Sequence, residues 1–229
     1  GSGIVYSANG NEKRNLQYNV LQTPRGGEYQ ITLADGSIVQ LNSGTQLKFP
    51  VVFDKEKREV YLTGEAFFEV QKDEKRPFYV IADGIKIRVY GTSFNVNTHD
   101  KERVQTVLVK GTIGLSAEKG GPEYRMKPSQ LGEYRRTDAS VNVKTVDIEP
   151  YVSWKDGFFV FENQTMEQIM NTLSLWYDVD IFYTNEQLKE LHFTGHVKRY
   201  EKIDNILRAI KSAVGVTFAV EGKEIWISK

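Results

Sequence analysis

The 229-residue sequence has no cysteine and only three histidines. The absence of cysteine excludes disulfides and thiolate metal sites, and it leaves the redox compartment undecided. No apolar run approaches the roughly 18 residues of a membrane-spanning helix. Thirty basic residues balance thirty acidic ones, so the chain lacks the basic excess typical of nucleic-acid binding, and we expect no nucleic-acid partner.

The residues that are present are those of a folded protein. Hydrophobic residues make up 40% of the sequence, enough for one large domain or two smaller ones. Residues 1–24 are predicted to be a polar lead-in, and its opening Gly1-Ser2-Gly3 is typical of a cloning scar, not of a signal peptide. We expect an all-β domain over residues 25–153 and a small α+β domain over residues 154–229.

Short strands dominate the predicted all-β domain. Tyr29, Ile31 and Leu33 alternate on one face, and Asp35-Gly36 then predicts a hairpin turn before a strand over 38–41. Nine more strands are predicted at 47–53, 59–62, 66–70, 78–81, 85–89, 94–97, 104–109, 112–115 and 124–126. Strands and turns at this spacing indicate a sandwich, a barrel or an irregular β-solenoid, and the pattern does not choose between them.

The predicted boundary lies in the polar stretch 132–156. Val141, Val143 and Val146 alternate there like a strand, and Pro150 is expected to block any helix.

The last third of the sequence repeats itself after 37 residues. The matched pairs are Met166 with Ile203, Ile169 with Ile206, Leu173 with Ile210, Val179 with Val216, and Ile181 with Phe218. The spacing predicts two copies of one strand-helix-strand unit, with Asn163 or Thr165 as a helix N-cap and Gly215 as a C-cap. With the flanking strands, the predicted order is β-α-β-β-α-β-β, with both helices on one face of a small sheet.

The sequence contains no recognisable motif for a catalytic nucleophile, a general base or a metal site. We therefore expect that the protein is not an enzyme and binds no metal or cofactor. His192 and His196 lie four apart on a predicted strand, roughly 13 Å, too far for one ion. Glu65 and Glu69 have the same spacing, which favours a structural use over paired-carboxylate catalysis. His99 is predicted to be a solvated turn residue.

Aromatic residues are plentiful, with 12 Phe, 12 Tyr and 3 Trp. A carbohydrate-binding β module associated with glycan uptake is therefore the alternative function. Several of these residues fall in strand patterns, where core packing is the usual explanation. They are Phe67, Phe68, Phe78, Phe94, Phe158, Phe159 and Phe161.

Four ordered segments resemble the periplasmic region of FecR-type anti-sigma regulators. They are Thr32-Leu-Ala-Asp-Gly-Ser-Ile-Val-Gln-Leu-Asn-Ser-Gly, Gly64-Glu-Ala-Phe-Phe-Glu-Val, Arg76-Pro-Phe-Tyr-Val and Gly91-Thr-Ser-Phe-Asn-Val. The segment from Trp154-Lys-Asp-Gly-Phe-Phe-Val-Phe resembles the small domain that follows in many members, which is similar to the N-terminal fold of secretins and TonB-dependent receptors.

The resemblance implies the periplasmic sensor of a single-pass inner-membrane protein. Its partners would be the signalling domain of an outer-membrane TonB-dependent transducer and, through an absent N-terminal region, an extracytoplasmic-function sigma factor. We expect the contact surface on the sheet of the small domain, where the terminal hairpin offers an edge for strand pairing. The predicted contact residues are Phe182, Tyr183, Trp226 and Ile227.

Overall fold

A computed structural model describes the backbone of Ile4–Val5 and residues 17–229. The chain divides into two compact units, Gly1–Ile148 and Glu149–Lys229. None of the helices in the described part of the chain is long and apolar enough to cross a membrane. The first three residues, where a cloning scar is expected, lie outside the described residues.

The first unit contains two β-sheets. The eight-stranded sheet contains, in spatial order, β1 (Ile4–Val5), β3 (Tyr29–Thr32), β4 (Ile38–Leu41), β7 (Glu65–Glu69), β10 (Ser93–Asn97), β11 (Arg103–Lys110), β14 (Gln130–Arg135) and β15 (Val141–Thr145). The seven-stranded sheet contains β13 (Tyr124–Met126), β12 (Ile113–Ala117), β9 (Ile85–Val89), β8 (Phe78–Ala82), β6 (Arg58–Thr63), β5 (Gln46–Pro50) and β2 (Tyr18–Gln22). All pairs are antiparallel except β1 with β3 and β6 with β8.

Both sheets bury their apolar faces in one shared core, so the first unit is a β-sandwich. The chain passes from one sheet to the other after every one or two strands. In the core, the Phe68 and Phe94 rings stack with centroids 5.1 Å apart, and the Phe53 ring meets the Phe78 ring edge-on at 5.8 Å. Of the seven phenylalanines expected to pack in strands, all but the half-buried Phe158 are buried.

The expected lead-in over 1–24 is wrong for its last residues. Tyr18–Gln22 form β2, which pairs antiparallel with β5 at the edge of the seven-stranded sheet. Only alternate side chains of β2 are partly covered: Leu21 packs against the core, whereas Tyr18 and Val20 are exposed. Thr23 follows it, buried, and donates its hydroxyl to the Asn42 carbonyl oxygen at 2.6 Å.

Two other expectations near the predicted boundary need correction. Residues 130–135, partly assigned to a polar stretch, form β14, which buries Leu131, Gly132 and Tyr134 and pairs with both β11 and β15. Pro150 does not block a helix, because it lies in the first turn of the short α1 (Glu149–Val152), where the missing amide hydrogen would have no partner within the helix.

The second unit follows the predicted order β-α-β-β-α-β-β after α1 and the 3-10 helix Ser153–Asp156. Its elements are β16 (Phe158–Thr165), α2 (Met166–Tyr177), β17 (Asp180–Tyr183), β18 (His192–Lys198), α3 (Ile203–Val214), β19 (Thr217–Glu221) and β20 (Glu224–Ser228), with a 3-10 helix at Glu186–Glu190. The expected single sheet is wrong. β17 pairs with β20, giving a three-stranded sheet in the order β17-β20-β19, and β16 pairs with β18 in a separate two-stranded sheet.

The structure contains the predicted 37-residue repeat. α2 and α3 begin 37 residues apart at Met166 and Ile203, and their C-caps, Asp178 and Gly215, are both left-handed. Thr165 is the N-cap of α2 and forms a capping box with Gln168. The apolar faces of both helices enter one core with Ile225 and Ile227 of β20.

An arginine that the sequence pattern did not single out is buried in the second unit, directly after β18. Arg199 is fully buried, and its guanidinium faces the rings of Trp176 at 3.8 Å, Trp154 at 5.4 Å and Phe159 at 5.5 Å. Its Nη1 donates to the Trp154 carbonyl oxygen at 2.8 Å. Three aromatic faces and a carbonyl thus compensate the loss of hydration of the charge.

Candidate partner-binding surface

The four predicted contact residues lie on two neighbouring strands. β17 and β20 run parallel, with Phe182 opposite Trp226 and Tyr183 opposite Ile227. Because successive side chains of a strand point to opposite faces, Phe182 and Trp226 share one face of the sheet and Tyr183 and Ile227 share the other.

Phe182 and Trp226 form an exposed aromatic pair. Their rings stack at a centroid distance of 4.7 Å and an interplanar angle of 18°, while 37% of Phe182 and 40% of Trp226 remain exposed. The indole Nε1 of Trp226 donates to Oε2 of Glu224 at 3.2 Å, which fixes the orientation of the ring. The pair is an exposed apolar patch on this face of the sheet, in which each ring covers one face of the other.

Tyr183 and Ile227 do not belong to this surface. Ile227 is fully buried and packs in the core beneath the sheet, so its expected exposure is wrong. Tyr183 is half-buried, and its hydroxyl lies 3.5 Å from the Met166 carbonyl oxygen, to which it donates. Burial, followed by the charge of Glu167, raises the pKa of this hydroxyl far above its ordinary value. Period-2 alternation, applied to the paired strands, already separates these residues from Phe182 and Trp226.

Three carboxylates lie next to the aromatic pair. In strand register, Asp180 is opposite Glu224, and Glu224 is opposite Glu221, so the three form one acidic row across the sheet. All three residues are exposed and lie on the same face as Phe182 and Trp226. The sequence did carry a signal for part of this row, since the two-residue turn Gly222-Lys223 places Glu221 opposite Glu224.

The outer strand β19 adds an apolar edge. Within the part of the chain that the structure describes, β19 pairs only with β20, along its whole length. Val220 on this strand is 46% exposed. The open side of β19 offers backbone donors and acceptors to a further strand.

The residues weighed for catalysis or metal binding do not converge. His192 and His196 lie on β18, and the His196 ring packs edge-on against Phe158 at 4.9 Å. Among the residues the structure describes, no group of three or more His, Cys, Asp or Glu side chains is arranged to hold a metal ion. Glu65 is buried and structural, whereas Glu69 at the other end of β7 is exposed.

Glu65 belongs to a buried polar cluster with His99. Its carboxylate accepts hydrogen bonds from Nδ2 of Asn42 at 2.6 Å and from Nδ2 of Asn95 at 2.9 Å. His99 was expected to be solvated, but it is half-buried, and its Nε2 is shielded from solvent without a hydrogen-bond partner among the described residues. Burial lowers the pKa of His99, against the opposing charge of Glu65 and a hydrogen bond to the Ser43 backbone. A turn sequence alone does not reveal that the turn folds onto the sandwich.

Comparison with known proteins covers both units. Residues 19–114 match the family model described as FecR protein, and residues 158–227 match that described as FecR, C-terminal. No curated protein matches the chain significantly. Two crystal structures of a proposed anti-sigma factor from Parabacteroides distasonis, at 1.65 and 2.50 Å resolution, are each 25% identical to the chain with a TM-score of 0.84. They cover 92% and 93% of this chain, and the match includes 99% of each solved chain. The two family matches and the shared architecture show that the chain belongs to the FecR family of anti-sigma regulators.

Proposed function

We propose that this chain is the periplasmic relay of a transmembrane anti-sigma regulator. It contacts the signalling domain of an outer-membrane TonB-dependent transducer and thereby controls an extracytoplasmic-function sigma factor. In this proposal a region preceding the sequence supplies the inner-membrane helix and the contact with the sigma factor. Membership of a regulatory family supports a role in protein contact, and we propose that the chain acts without catalysis.

The single observation that carries the transducer contact is the exposed stack of Phe182 on Trp226. Two large rings held open to solvent on a sheet face are typical of the central contacts of protein interfaces. The acidic row next to them favours a partner that presents Lys or Arg side chains around an apolar centre. The open side of β19 can add main-chain hydrogen bonds to a partner strand.

A titration with the isolated signalling domain of the cognate TonB-dependent transducer tests the proposal. We expect binding by the intact chain, and a loss of affinity of about tenfold or more for Trp226→Ala, since an aromatic centre of an interface commonly contributes 2 kcal/mol or more, about thirtyfold. Tyr124→Ala is the matched control, because Tyr124 is 39% exposed and lies on β13 of the first unit. Equal affinities of the Trp226 variant and the intact chain would contradict the assignment of this surface.

The aromatic pair also favours a second candidate, the carbohydrate-binding module. Exposed aromatic rings can stack on the apolar face of a pyranose ring, and both Phe182 and Trp226 are partly exposed. Titration with neutral oligosaccharides, followed by the fluorescence of Trp226, separates the two functions. Saturable quenching that disappears in Phe182→Ala would support sugar binding, and an unchanged signal would exclude it at this surface.

A further inference from the structure

A cavity of about 420 Å³ opens on the first unit at the end of β9. Its volume lies in the range of small-molecule sites. The lining combines two arginines, a tyrosine and a threonine from the strand ends with the loop 72–77, which supplies Lys72, Asp73, Glu74 and Pro77. This site is independent of the surface formed by β17, β20 and β19, and it takes no part in the function proposed above.

Two arginines converge on one tyrosine ring in this cavity. The guanidinium carbon of Arg88 lies 5.0 Å from the centroid of the Tyr90 ring, and that of Arg125 lies 5.8 Å from it. Two guanidinium groups beside an aromatic ring favour a ligand that has an anionic group at one end. The rest of such a ligand can stack on the aromatic ring.

The charge of Arg88 lacks a carboxylate partner among the described residues. Its Nε is buried and donates no hydrogen bond to any described residue, while its guanidinium lies over the ring of Tyr90. The other charges of the cavity are paired locally, Lys72 with Glu74 at 2.7 Å and Asp73 with Arg76 at 2.8 Å. A buried, unpaired guanidinium nitrogen is costly, and an incoming anion would relieve that cost.

The sheet itself holds a carboxylate between the two arginines. Arg88 on β9 and Arg125 on β13 both lie opposite Gly114 of β12, so their side chains share one face, with Gly114 between them. The side chain of Glu123 fills the space above Gly114, 2.5 to 2.7 Å from where a Cβ atom would lie. Its Oε1 lies 3.8 Å from Nε of Arg125, which is a long distance for an ion pair. Glu123 therefore occupies the place that an external carboxylate would take.

We propose that this cavity binds a small hydroxylated carboxylate of the uronic-acid sugar class. The ligand carboxylate would displace Glu123 and bind Arg88 and Arg125, and the sugar ring would stack on Tyr90. Its hydroxyl groups find acceptors in Asp73 and Glu74 and a hydroxyl partner in Thr112, all in the lining of the same cavity. The mixture of cations, carboxylates and an aromatic ring fits a polyhydroxylated acid better than a simple inorganic anion.

Calorimetric titration of the whole chain with digalacturonate, and with neutral galactobiose as the matched ligand, tests the site. We expect binding of the acid, weakened by salt, and at least tenfold weaker binding of the neutral sugar. Arg88→Met should weaken digalacturonate binding about tenfold or more. Lys86→Met is the control, because Lys86 lies two residues earlier on β9 and its Nζ lies over the Tyr79 ring at 4.3 Å, outside the cavity.

Glu123→Gln should change the affinity in the opposite direction, so its effect cannot be explained by a variant that fails to fold. Removal of the competing charge should strengthen digalacturonate binding several-fold. No binding of digalacturonate at millimolar concentration, equal binding of both sugars, or an Arg88→Met affinity equal to that of Lys86→Met would each overturn the proposal. If the chain binds digalacturonate but not the transducer, the function proposed above is contradicted and the ligand site is not.

Discussion

Arg199 and Trp176 are joined twice. The guanidinium of Arg199 lies 3.8 Å from the ring centroid of Trp176, and the indole Nε1 of Trp176 donates to the Arg199 carbonyl oxygen at 2.7 Å. Tyr177 donates its hydroxyl to the same carbonyl at 3.1 Å, and burial raises its pKa to about 12. The end of α2 is thereby fixed to the end of β18.

Arg199→Met should destabilise the second unit by about 2 kcal/mol or more, because it removes a desolvated cation–π contact and leaves the Trp154 carbonyl without its donor. Urea unfolding followed by tryptophan fluorescence measures this, since all three tryptophans lie in the second unit. Lys198→Met, at an exposed neighbouring position, should change the free energy of unfolding by less than about 0.5 kcal/mol. Equal effects of the two variants would refute the anchoring role.

Asp35→Ala should be among the most destabilising changes in the first unit. The Asp35 carboxylate, 3% exposed, pairs with Nη1 of Arg58 at 2.6 Å, and the Arg58 side chain is itself 1% exposed. Removal of one partner of a buried ion pair typically costs about 3–5 kcal/mol, because the other charge is left buried. Asp35→Ala combined with Arg58→Met should recover part of that loss in a double-mutant cycle monitored by circular dichroism. Strictly additive effects would show that the pair is not coupled.

Gly64→Ala and Gly120→Ala separate steric clash from backbone strain. Both glycines have positive φ, 106° and 102°, which costs any other residue about 1–3 kcal/mol. A Cβ on Gly64 would lie 2.6 Å from the Cα of Thr45, whereas nothing lies within 4 Å of one on Gly120. Thermal unfolding should therefore show a clearly larger loss for Gly64→Ala. Similar losses would mean that the backbone at Thr45 can move away from Gly64.

The stability of the first unit should fall as the pH drops below about 6.5. The folded-state pKa of His99 is lowered from 6.5, so below that pH the unfolded chain binds more protons than the folded one. The effect of one such group is at most about 1.4 kcal/mol per pH unit and ends below the folded-state pKa. Amide hydrogen exchange in β7 and β10 at several pH values measures it.

His99→Gln should flatten this pH dependence. The exposed His192→Gln, in the second unit, is the control and should leave the exchange in β7 and β10 as it is in the intact chain. A slope that persists in His99→Gln would assign the effect to another group.

Local periodicity predicted the second unit well and the edges of the first unit poorly. The 37-residue repeat, Thr165 and Gly215 follow from helix period and capping chemistry, which act within a few residues. The sequence did not predict strand β2, because this short edge strand directly follows a polar run and only Leu21 of its apolar residues packs against the core.

Contacts between distant residues account for what the sequence did not reveal. Arg199 directly follows the exposed Lys198 and looks solvated, and only the fold brings Trp154, 45 residues away, to its Nη1. His99 and Glu65 are likewise joined across 34 positions. Of the four residues predicted to contact a partner, Phe182 and Trp226 are exposed whereas Ile227 is buried, because the strand pairing decides which face is covered.

Strand β20 lies between β17 of the first repeat and β19 of the second. It is also the last strand along the sequence, so during synthesis the ribosome must release residues 224–228 before β17 and β19 can join one sheet. Phe182 and Trp226 are separated by 43 intervening positions. Because contacts between distant residues form slowly, we expect the aromatic pair to form late in folding. Proteolytic removal of β20 would remove Trp226 and with it the aromatic pair, whereas the core residues of the first unit would remain.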